Sequence, residues 1–392
     1  MERASLSYVF STFLKIGATG FGGFMALVAV VQRQICQIDR KLSEEDLLDA
    51  VSLASVLPGP VAFNVVVYVG YKLRGYFGAL VAFMAILLPC FLLVLLLSWV
   101  YFTYGQTPAV RSIFDMIIPV VTGLIVTTGI NMGRKQLKSW PQWVIMAASC
   151  AAAMAFKGYL TTLAIMVAGS LCGIIFFRER NGSVSHMAQK QLRSTLATSG
   201  IIAAVLCSFV AVLYFVRDFS MPLQIASVFS GMSLTLFGGG YVVIPALNEM
   251  FVTNLGWLTS PEFADGIAIG QVTPGPIFIS AAFIGYKVLG VAGATIATLA
   301  FFIPPALLML LCSRFLDGIR QSQAIKAVFK GVRPAVIGLI FAAIPSVGKN
   351  MPFTWLPLLI LAATIYLSLR HKVSPVYLIA GAGLFGFVIS LI

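Results

Sequence analysis

The chain alternates between long apolar stretches and short polar loops, a pattern that is typical of a helical membrane protein. A helix needs about 20 apolar residues to cross the hydrocarbon core of a bilayer. Stretches near that length, or pairs of shorter ones, recur along the whole sequence. The pattern predicts helical segments over 6–31, 45–71, 77–101, 113–131, 142–156, 159–177, 196–216, 222–250, 263–286, 290–313, 325–345, 353–369 and 373–392.

Composition agrees with this interpretation. The chain is 59% hydrophobic and 10% charged, whereas soluble domains carry about 25% charged residues. We therefore expect an all-α polytopic membrane protein with about 12 to 13 membrane segments. The net charge of +13 would indicate nucleic acid in a soluble protein, but here the basic residues are spread over short loops, as membrane topology requires. We expect no nucleic-acid partner, metal or cofactor.

Two motifs interrupt helices inside the apolar sequence. They are Phe-Gly-Gly-Gly at 237–240 and Pro-Gly-Pro at 274–276. Proline removes a backbone donor and clashes with the preceding turn, and glycine costs backbone entropy. In lipid, the freed backbone groups are tolerated only where they are buried in protein or line a wet cavity. The breaks therefore favour a site for a polar ligand, although the glycines alone also fit a close helix crossing.

Both motifs occur twice at a constant spacing. Phe-Gly-Gly at 21–23 and Pro-Gly-Pro at 58–60 each lie 216 positions before their second copy, and after one deletion Gly-Tyr-Lys at 70–72 matches 285–287 at an offset of 215. The chain is therefore a duplicated unit. The predicted organisation is a first repeat unit over 1–177, a polar linker with an unpaired apolar segment over 178–220, and a second repeat unit over 221–392.

The unpaired segment predicts the relative orientation of the copies. If each unit crosses the membrane six times, one extra crossing makes them an inverted repeat. Re-entrant breaks would lower the number of crossings, and the parity argument can survive them. Loop charge supports a cytoplasmic N-terminus. The basic residues then predicted inside in the first half are Lys72, Arg74, Arg134, Lys135, Lys138, Arg178, Arg180, Lys190 and Arg193, and those predicted outside are Arg33, Arg40, Lys41, Arg111 and Lys157.

An inverted repeat with broken helices at matching positions predicts a secondary transporter with a site near the midplane. Each second proline of the Pro-Gly-Pro motifs suits the first turn of a restarted helix and leaves the next amides free. Helix N-termini carry about +0.5 charge and bind anions, so two such ends facing each other would hold a compact oxyanion. The predicted binding residues form or flank the breaks: Gly22, Gly23, Pro58, Gly59, Pro60, Val61, Ala62, Asn64, Gly238, Gly239, Gly240, Thr273, Pro274, Gly275, Pro276, Ile277, Phe278 and Ser280.

Three ionisable residues are further candidates. Lys15 lies deep in an apolar run, so it is either a counter-charge for the anion or a side chain that extends from the helix to the interface. Asp49 and Asp265 occupy equivalent positions, nine residues before each Pro-Gly-Pro. They are either proton carriers for coupling or acids that stabilise the first turn of a helix.

The duplicated Phe-Gly-Gly, Pro-Gly-Pro and Gly-Tyr-Lys motifs, with Val-Ile-Pro at 243–245 and Gly-Trp-Leu at 256–258, resemble the chromate ion transporter family. The resemblance covers nearly the whole chain except 178–220. It implies a two-unit protein that exports chromate, with sulfate as a similar dianion, across a bacterial plasma membrane and is driven by the proton motive force. The first unit has Phe24 in place of Gly240 and Ala29 in place of Pro245, which implies unequal contributions from the two halves.

Two other classes are open at this point. An integral-membrane enzyme acting on anionic headgroups is one, but only His186 and His371 are present and neither lies in a HExxH or GxSxG context. A transporter or channel for another solute is the other. The chain contains no GxxxxGK[ST] loop, so ATP drive within it is not expected. Lipid is an expected partner, and a homodimer is left open.

Overall fold

The computed structural model describes residues 4–20, 23–55, 57–105, 107–156, 159–177, 220–234, 244–313, 323–349, 351, 354–371 and 373–391. Regular structure in these ranges is helical throughout, which confirms the predicted all-α class. Four stretches are long and apolar enough to cross a membrane: Val61–Tyr104, Arg111–Gln136, Ser280–Cys312 and Ala327–Pro345.

The described helices of the two units correspond in order. Those of the first unit are α1 (Leu6–Thr19), α2 (Gly23–Val31, continued by a π-helical segment Gln32–Ile38), α3 (Glu44–Ala54), α4 (Val61–Tyr104), α5 (Pro108–Gln136), α6 (Trp140–Ala155) and α7 (Tyr159–Phe177). Those of the second unit are α8 (Met221–Leu234), α9 (Ile244–Asn248, continued by a π-helical segment Glu249–Asn254), α10 (Ser260–Val272), α11 (Ser280–Cys312), α12 (Gln323–Gly348), α13 (Trp355–Tyr366, continued by a π-helical segment Leu367–His371) and α14 (Pro375–Ile389).

Helices α4 and α11 each fold back on themselves. Arg74 (φ −148°, ψ 23°) and Gly75 (φ 67°, ψ −154°) break α4 into a first arm, 61–73, and a second arm, 76–104. A side chain on Gly78 would collide with the carbonyl of Gly70, although residues eight apart in a straight helix are separated by about 12 Å. The two arms therefore pack side by side. Leu289 and Gly290 make the same turn in α11.

The helices on either side of each break in the first unit form V-shaped hairpins. Helices α1 and α2 form the first hairpin, and α3 and the first arm of α4 form the second. The base of the second hairpin is closed where Lys72 Nζ lies 3.0 Å from Asp46 Oδ1, which joins the start of α3 to the end of the first arm of α4. In the first hairpin the Tyr8 hydroxyl on α1 donates to Asp39, just past the π-helical segment, at 2.5 Å. Arms of 11 to 16 residues reach roughly 16–24 Å. The segments predicted over 6–31 and 45–71 are thus pairs of half-length helices rather than straight spans.

The bases of these hairpins lie at one end of the bundle. The Arg74 guanidinium donates to the carbonyl of Ala4 at 3.0 Å, and the Gln37 amide donates to Glu44 at 3.4 Å. The start of α1, the loop at 39–43 and the turn at 72–75 are therefore neighbours. The sequence prediction that Arg33, Arg40 and Lys41 lie on the face opposite Lys72 is wrong, because both hairpins return to the end from which they start.

The second unit repeats these local structures. Lys287 Nζ lies 2.7 Å from Glu262 Oε1, at positions equivalent to Lys72 and Asp46. Left-handed backbone also recurs in equivalent pairs: Arg40 (φ 50°) with Gly256 (φ 61°), Gly59 (φ 106°) with Gly275 (φ 100°), and Gly75 (φ 67°) with Gly290 (φ 57°). The duplication therefore extends to single backbone conformations.

The two units interlock in one core. Helices α6 and α7 of the first unit pack on α12 of the second, and α13 and α14 of the second pack on α5 of the first. A side chain on Gly173 would collide with the Ala327 carbonyl, and one on Gly386 would lie 2.5 Å from the Ser112 carbonyl. Small residues let these backbones approach closely, so each unit completes the packing of the other.

The turn of α11 provides a test of the packing. Gly293→Ala places a methyl group against the Gly285 carbonyl, and overpacking of this kind costs about 1–3 kcal/mol. We expect a lower thermal unfolding temperature in detergent. Gly381→Ala in α14 is the matched control, because nothing lies within 4 Å of the added carbon. Equal unfolding temperatures for the two variants would contradict the folded-back turn.

Candidate functional site

The two Pro-Gly-Pro turns have the same geometry. Gly59 and Gly275 have φ values of 106° and 100°, a conformation that residues with a side chain rarely adopt. Pro60 and Pro276 follow with φ −68° and an extended ψ. Each proline is the residue just before the restarted helix, one position earlier than the sequence analysis placed it. The chain continues from Pro276 as a 3₁₀ turn, Ile277–Ile279, before α11.

The amides that follow the turns have no hydrogen-bond acceptor among the described residues. Within the described ranges no protein acceptor bonds the amides of Val61 and Ala62, or those of Ile277 and Phe278. Val61, Ala62 and Phe278 are buried, with 5%, 6% and 3% of their surface exposed. A helix start concentrates positive charge on such unpaired amides. Both turns therefore offer buried donors of the kind that bind an anion.

Each turn packs against the other unit. A side chain on Gly59 would collide with Pro305 in α11, and one on Gly275 would lie 3.0 Å from the Cys90 sulfur in α4. Cys90 and Pro305 are equivalent positions at the offset of 215. Contacts that are exchanged in this way between equivalent positions are the signature of a local two-fold relation.

One backbone hydrogen bond joins two breaks directly. The amide of Gly275 donates to the carbonyl of Gly20 at 3.0 Å, and Gly20 is the residue directly after α1, just before the first glycine motif. The apex of one hairpin in the first unit therefore meets the Pro-Gly-Pro apex of the second unit. Among the predicted glycines, Gly23 begins α2, while Gly22, Gly238, Gly239 and Gly240 lie outside the described residues.

The sequence analysis expects the two restarted helices to face each other, and that arrangement stays a prediction. Phenylalanine rings connect their first turns. The ring of Phe63 lies 4.7 Å from that of Phe302, Phe302 lies 5.3 Å from Phe301, and Phe301 lies 5.1 Å from Phe278. The contact between Phe63 and Phe302 joins the two units, whereas the contact between Phe278 and Phe301 lies within the second unit.

The predicted side-chain donors partly hold the turns together. Asn64 is fully buried, and its Nδ2 donates to the Pro58 carbonyl at 3.2 Å, across the break. Thr273 is extended, as the following proline predicts, but its hydroxyl donates to the Gly270 carbonyl at 3.2 Å. Ser280 is buried at the start of α11. Backbone amides, rather than these side chains, therefore remain the main donors.

The three ionisable candidates lie in different surroundings. Lys15 is exposed on α1, a placement that favours the interface interpretation. Asp49 is half-buried in α3, whereas Asp265 is 7% exposed in α10. Neither aspartate is in the first turn of its helix, where Asp46 and Glu262 lie instead. The Tyr101 hydroxyl donates to Asp265 at 2.6 Å. The sequence analysis missed Tyr101 because position 316, its equivalent, is a leucine.

The ion pairs at the hairpin bases are charged at neutral pH. The Ser43 hydroxyl and the Lys72 ammonium group lower the pKa of Asp46. Burial acts to raise the pKa of Glu262, but hydrogen bonds from Lys287 and Thr259 outweigh burial and leave that pKa below its ordinary value. Among the described residues no three His, Cys, Asp or Glu side chains form a group that could hold a metal ion.

A duplicated helical bundle with apolar spans and broken helices defines a multi-pass membrane protein of the transporter class. The model of the chromate transporter family matches residues 7–174 and 223–387. The chain belongs to this family. Because the family is one of transporters, the protein is not an enzyme.

Several relatives match over most of their length. The chain is 31% identical to a probable chromate transport protein of Synechococcus elongatus, covering 88% of this chain and 85% of the relative. It is 30% identical to a chromate transport protein of Cupriavidus metallidurans (96% and 91%) and 29% identical to one of Pseudomonas aeruginosa (98% and 92%). No solved structure matches the chain.

The Pro-Gly-Pro geometry generates a stability prediction. Gly59→Ala and Gly275→Ala combine left-handed strain, about 1–2 kcal/mol, with a collision against Pro305 or Cys90. Gly256→Ala carries the strain alone, since nothing lies within 4 Å of its added carbon. We expect the first two variants to unfold at lower temperature than Gly256→Ala in the same detergent. If all three unfolded together, the turns would not be packed against the other unit.

Proposed function

We propose that this protein exports chromate, or a dianion of similar size such as sulfate, across the plasma membrane by alternating access. The observation that carries the proposal is the pair of buried helix starts with free amides, each packed against the opposite unit. Membership of the chromate transporter family supports an oxyanion as the substrate. The curated relatives named above are chromate transport proteins.

The chemistry of the turns fits an oxyanion. A tetrahedral dianion presents several acceptor oxygens and no need for a metal, so free backbone amides at positively charged helix ends are suitable ligands. Amides bind charge and shape without distinguishing the central atom. The same turns would therefore accept chromate and sulfate, and selection between them would depend on the surrounding side chains.

The burial of the amides supports alternating access. Val61, Ala62 and Phe278 are nearly inaccessible, so a ligand can reach them only after a rearrangement. Because each Pro-Gly-Pro apex contacts the other unit, a movement of one unit against the other would uncover the turns. Substrate sites at the interface between repeats behave in this way in other secondary transporters.

Topology supports an inverted relation between the units. If the V-shaped hairpins return to their own side, four segments of the first unit cross: the second arm of α4, α5, α6 and α7. That number is even, so the unpaired apolar segment at 196–216 would reverse the second unit. If Arg33, Arg40 and Lys41 lie on the same side as Lys72, Arg111 and Lys157 are the two basic loop residues of the first half that remain on the opposite side. The positive-inside bias is then stronger.

Transport itself is tested in everted membrane vesicles. We expect wild type to accumulate chromate and labelled sulfate, each dianion to inhibit uptake of the other, and chloride to have little effect. Gly59→Leu and Gly275→Leu fill the Pro-Gly-Pro turns and should reduce the rate at least tenfold. The control is Gly381→Leu, at a helical glycine with open space around it. Normal uptake by both turn variants, at equal amounts of inserted protein, would contradict the proposed site.

Orientation is tested by labelling equivalent positions. Gln37 and Thr253 are both exposed and are equivalent at the offset of 216. In a background without native cysteines, Gln37→Cys should react with an impermeant maleimide from the cytoplasmic side, and Thr253→Cys from the opposite side. Labelling of both cysteines from one side would show that the two units run parallel.

A further inference from the structure

We propose that Asp265, held by the Tyr101 hydroxyl, is the group that binds and releases the coupling proton, and that its counterpart Asp49 does not. The inference rests on the proposed transport function and assigns the coupling to one half of the duplicated chain. It is carried by the geometry around Asp265.

Asp265 is buried with one oxygen bonded and the other unbonded. Its exposed fraction is 7%, and the Tyr101 hydroxyl donates to Oδ2 at 2.6 Å. Its Oδ1 atom is buried without a hydrogen-bond partner among the described residues. The Tyr101 ring contacts those of Phe102, Phe114 and Phe283, with centroids 5.0, 5.2 and 5.2 Å away. The carboxyl group therefore lies in an apolar, aromatic pocket.

The charges around Asp265 do not neutralise it. The two that act on it electrostatically are acids, Asp115 and Glu262. Lys287 is the nearest basic side chain in the hairpin formed by α10 and the first arm of α11, and it is paired with Glu262 at 2.7 Å. The positive charge of Arg111 interacts with Asp115. The elements packed against α10 carry further titratable residues at this end of the bundle. They are Tyr101, Tyr104, Arg111, Asp115, Glu249, Glu262, Tyr286 and Lys287.

A buried carboxylate without a cation is strongly disfavoured, because burial penalises the ionised form. Asp265 therefore carries its proton while the pocket is closed. When a rearrangement admits water from one side of the membrane, the O–H bond breaks and the proton passes to that water. Water on the other side supplies a proton to Oδ1 when access alternates, so one proton crosses per cycle.

The position of Asp265 connects this proton to the anion site. It lies on α10, the helix that leads directly into Thr273 and the second Pro-Gly-Pro turn. Tyr101 belongs to the first unit, near the end of α4. The Tyr101–Asp265 hydrogen bond therefore joins the second-unit hairpin to the first unit, and the charge on Asp265 changes how firmly that hairpin is held.

Among the described residues, the surroundings of Asp49 in the first unit differ from those of Asp265. Asp49 is half-buried, and the residue equivalent to Tyr101 is Leu316. The duplicated backbone therefore carries one proton-binding carboxyl group, on the second copy. Asp49→Asn is the matched control for Asp265→Asn, because both substitutions remove the same charge from equivalent helix positions.

The test uses purified full-length protein in liposomes, with labelled sulfate as the probe. Two rates are measured: exchange of sulfate at equal pH and sulfate concentration, and net uptake driven by an imposed pH gradient. We expect Asp265→Asn to exchange sulfate within about twofold of wild type but to lose stimulation by the gradient. Asp49→Asn should keep both. Gradient-driven uptake in Asp265→Asn, or its equal loss in both variants, would overturn the assignment.

Tyr101→Phe separates positioning from packing, because it keeps the ring and removes the hydrogen bond. A bond to the ionised carboxylate favours that form, so its loss should move the pH midpoint of gradient-driven uptake upward. An unchanged midpoint would show that Tyr101 only packs.

Infrared spectroscopy gives a readout that does not depend on any substrate. Wild type should show a protonated carboxyl band that is missing in Asp265→Asn and present in Asp49→Asn. Absence of the band in wild type would overturn the proton site even if transport occurs. A band without sulfate or chromate exchange would instead count against the proposed function.

Discussion

A break in these helices is tolerated only where its backbone groups are buried in protein or line a wet cavity, because lipid offers no hydrogen bonds. The structure meets this constraint by using the second copy of the unit. The Gly275 amide donates to the Gly20 carbonyl of the first unit, and both Pro-Gly-Pro turns are packed against the proline-interrupted helix of the opposite unit. A single unit would leave these apices exposed, so duplication and helix breaking depend on each other.

The same constraint explains the exchanged packing further along the chain. Helices α6 and α7 pack on α12, and α13 and α14 pack on α5, which places glycine-lined crossings between units as well as within them. Packing through small residues supplies close contact where no hydrophobic effect separates protein from lipid. The halves are repeats in sequence but form one core in space, and a relative movement of the two must therefore repack several crossings together.

The sequence predicted the duplication, the positions of the two Pro-Gly-Pro breaks and the turn after Lys72, because proline and glycine are local signals and the offset between the copies is constant. It did not predict the V-shaped hairpins. An apolar run of 26 residues is compatible with one span or with two half-length helices, and the ion pair between Lys72 and Asp46 that closes a hairpin joins residues 26 positions apart. The ring cluster around Phe302 was not predicted either, because the contact between Phe63 and Phe302 joins residues of different units.

The two units have the same backbone conformations at equivalent positions but different side chains. The differences in side chains determine which unit has which role. Equivalent left-handed glycines, and the free amides of the residues that follow Pro60 and Pro276, preserve the backbone groups that we propose recognise the anion. Thr273 corresponds to Leu57, and Tyr101 corresponds to Leu316. A function carried by the backbone can be shared equally by two copies, whereas a buried acid is costly in each place that it occurs. One buried carboxyl group per duplicated chain is therefore the less costly arrangement, and Asp265 is the copy whose surroundings bury it.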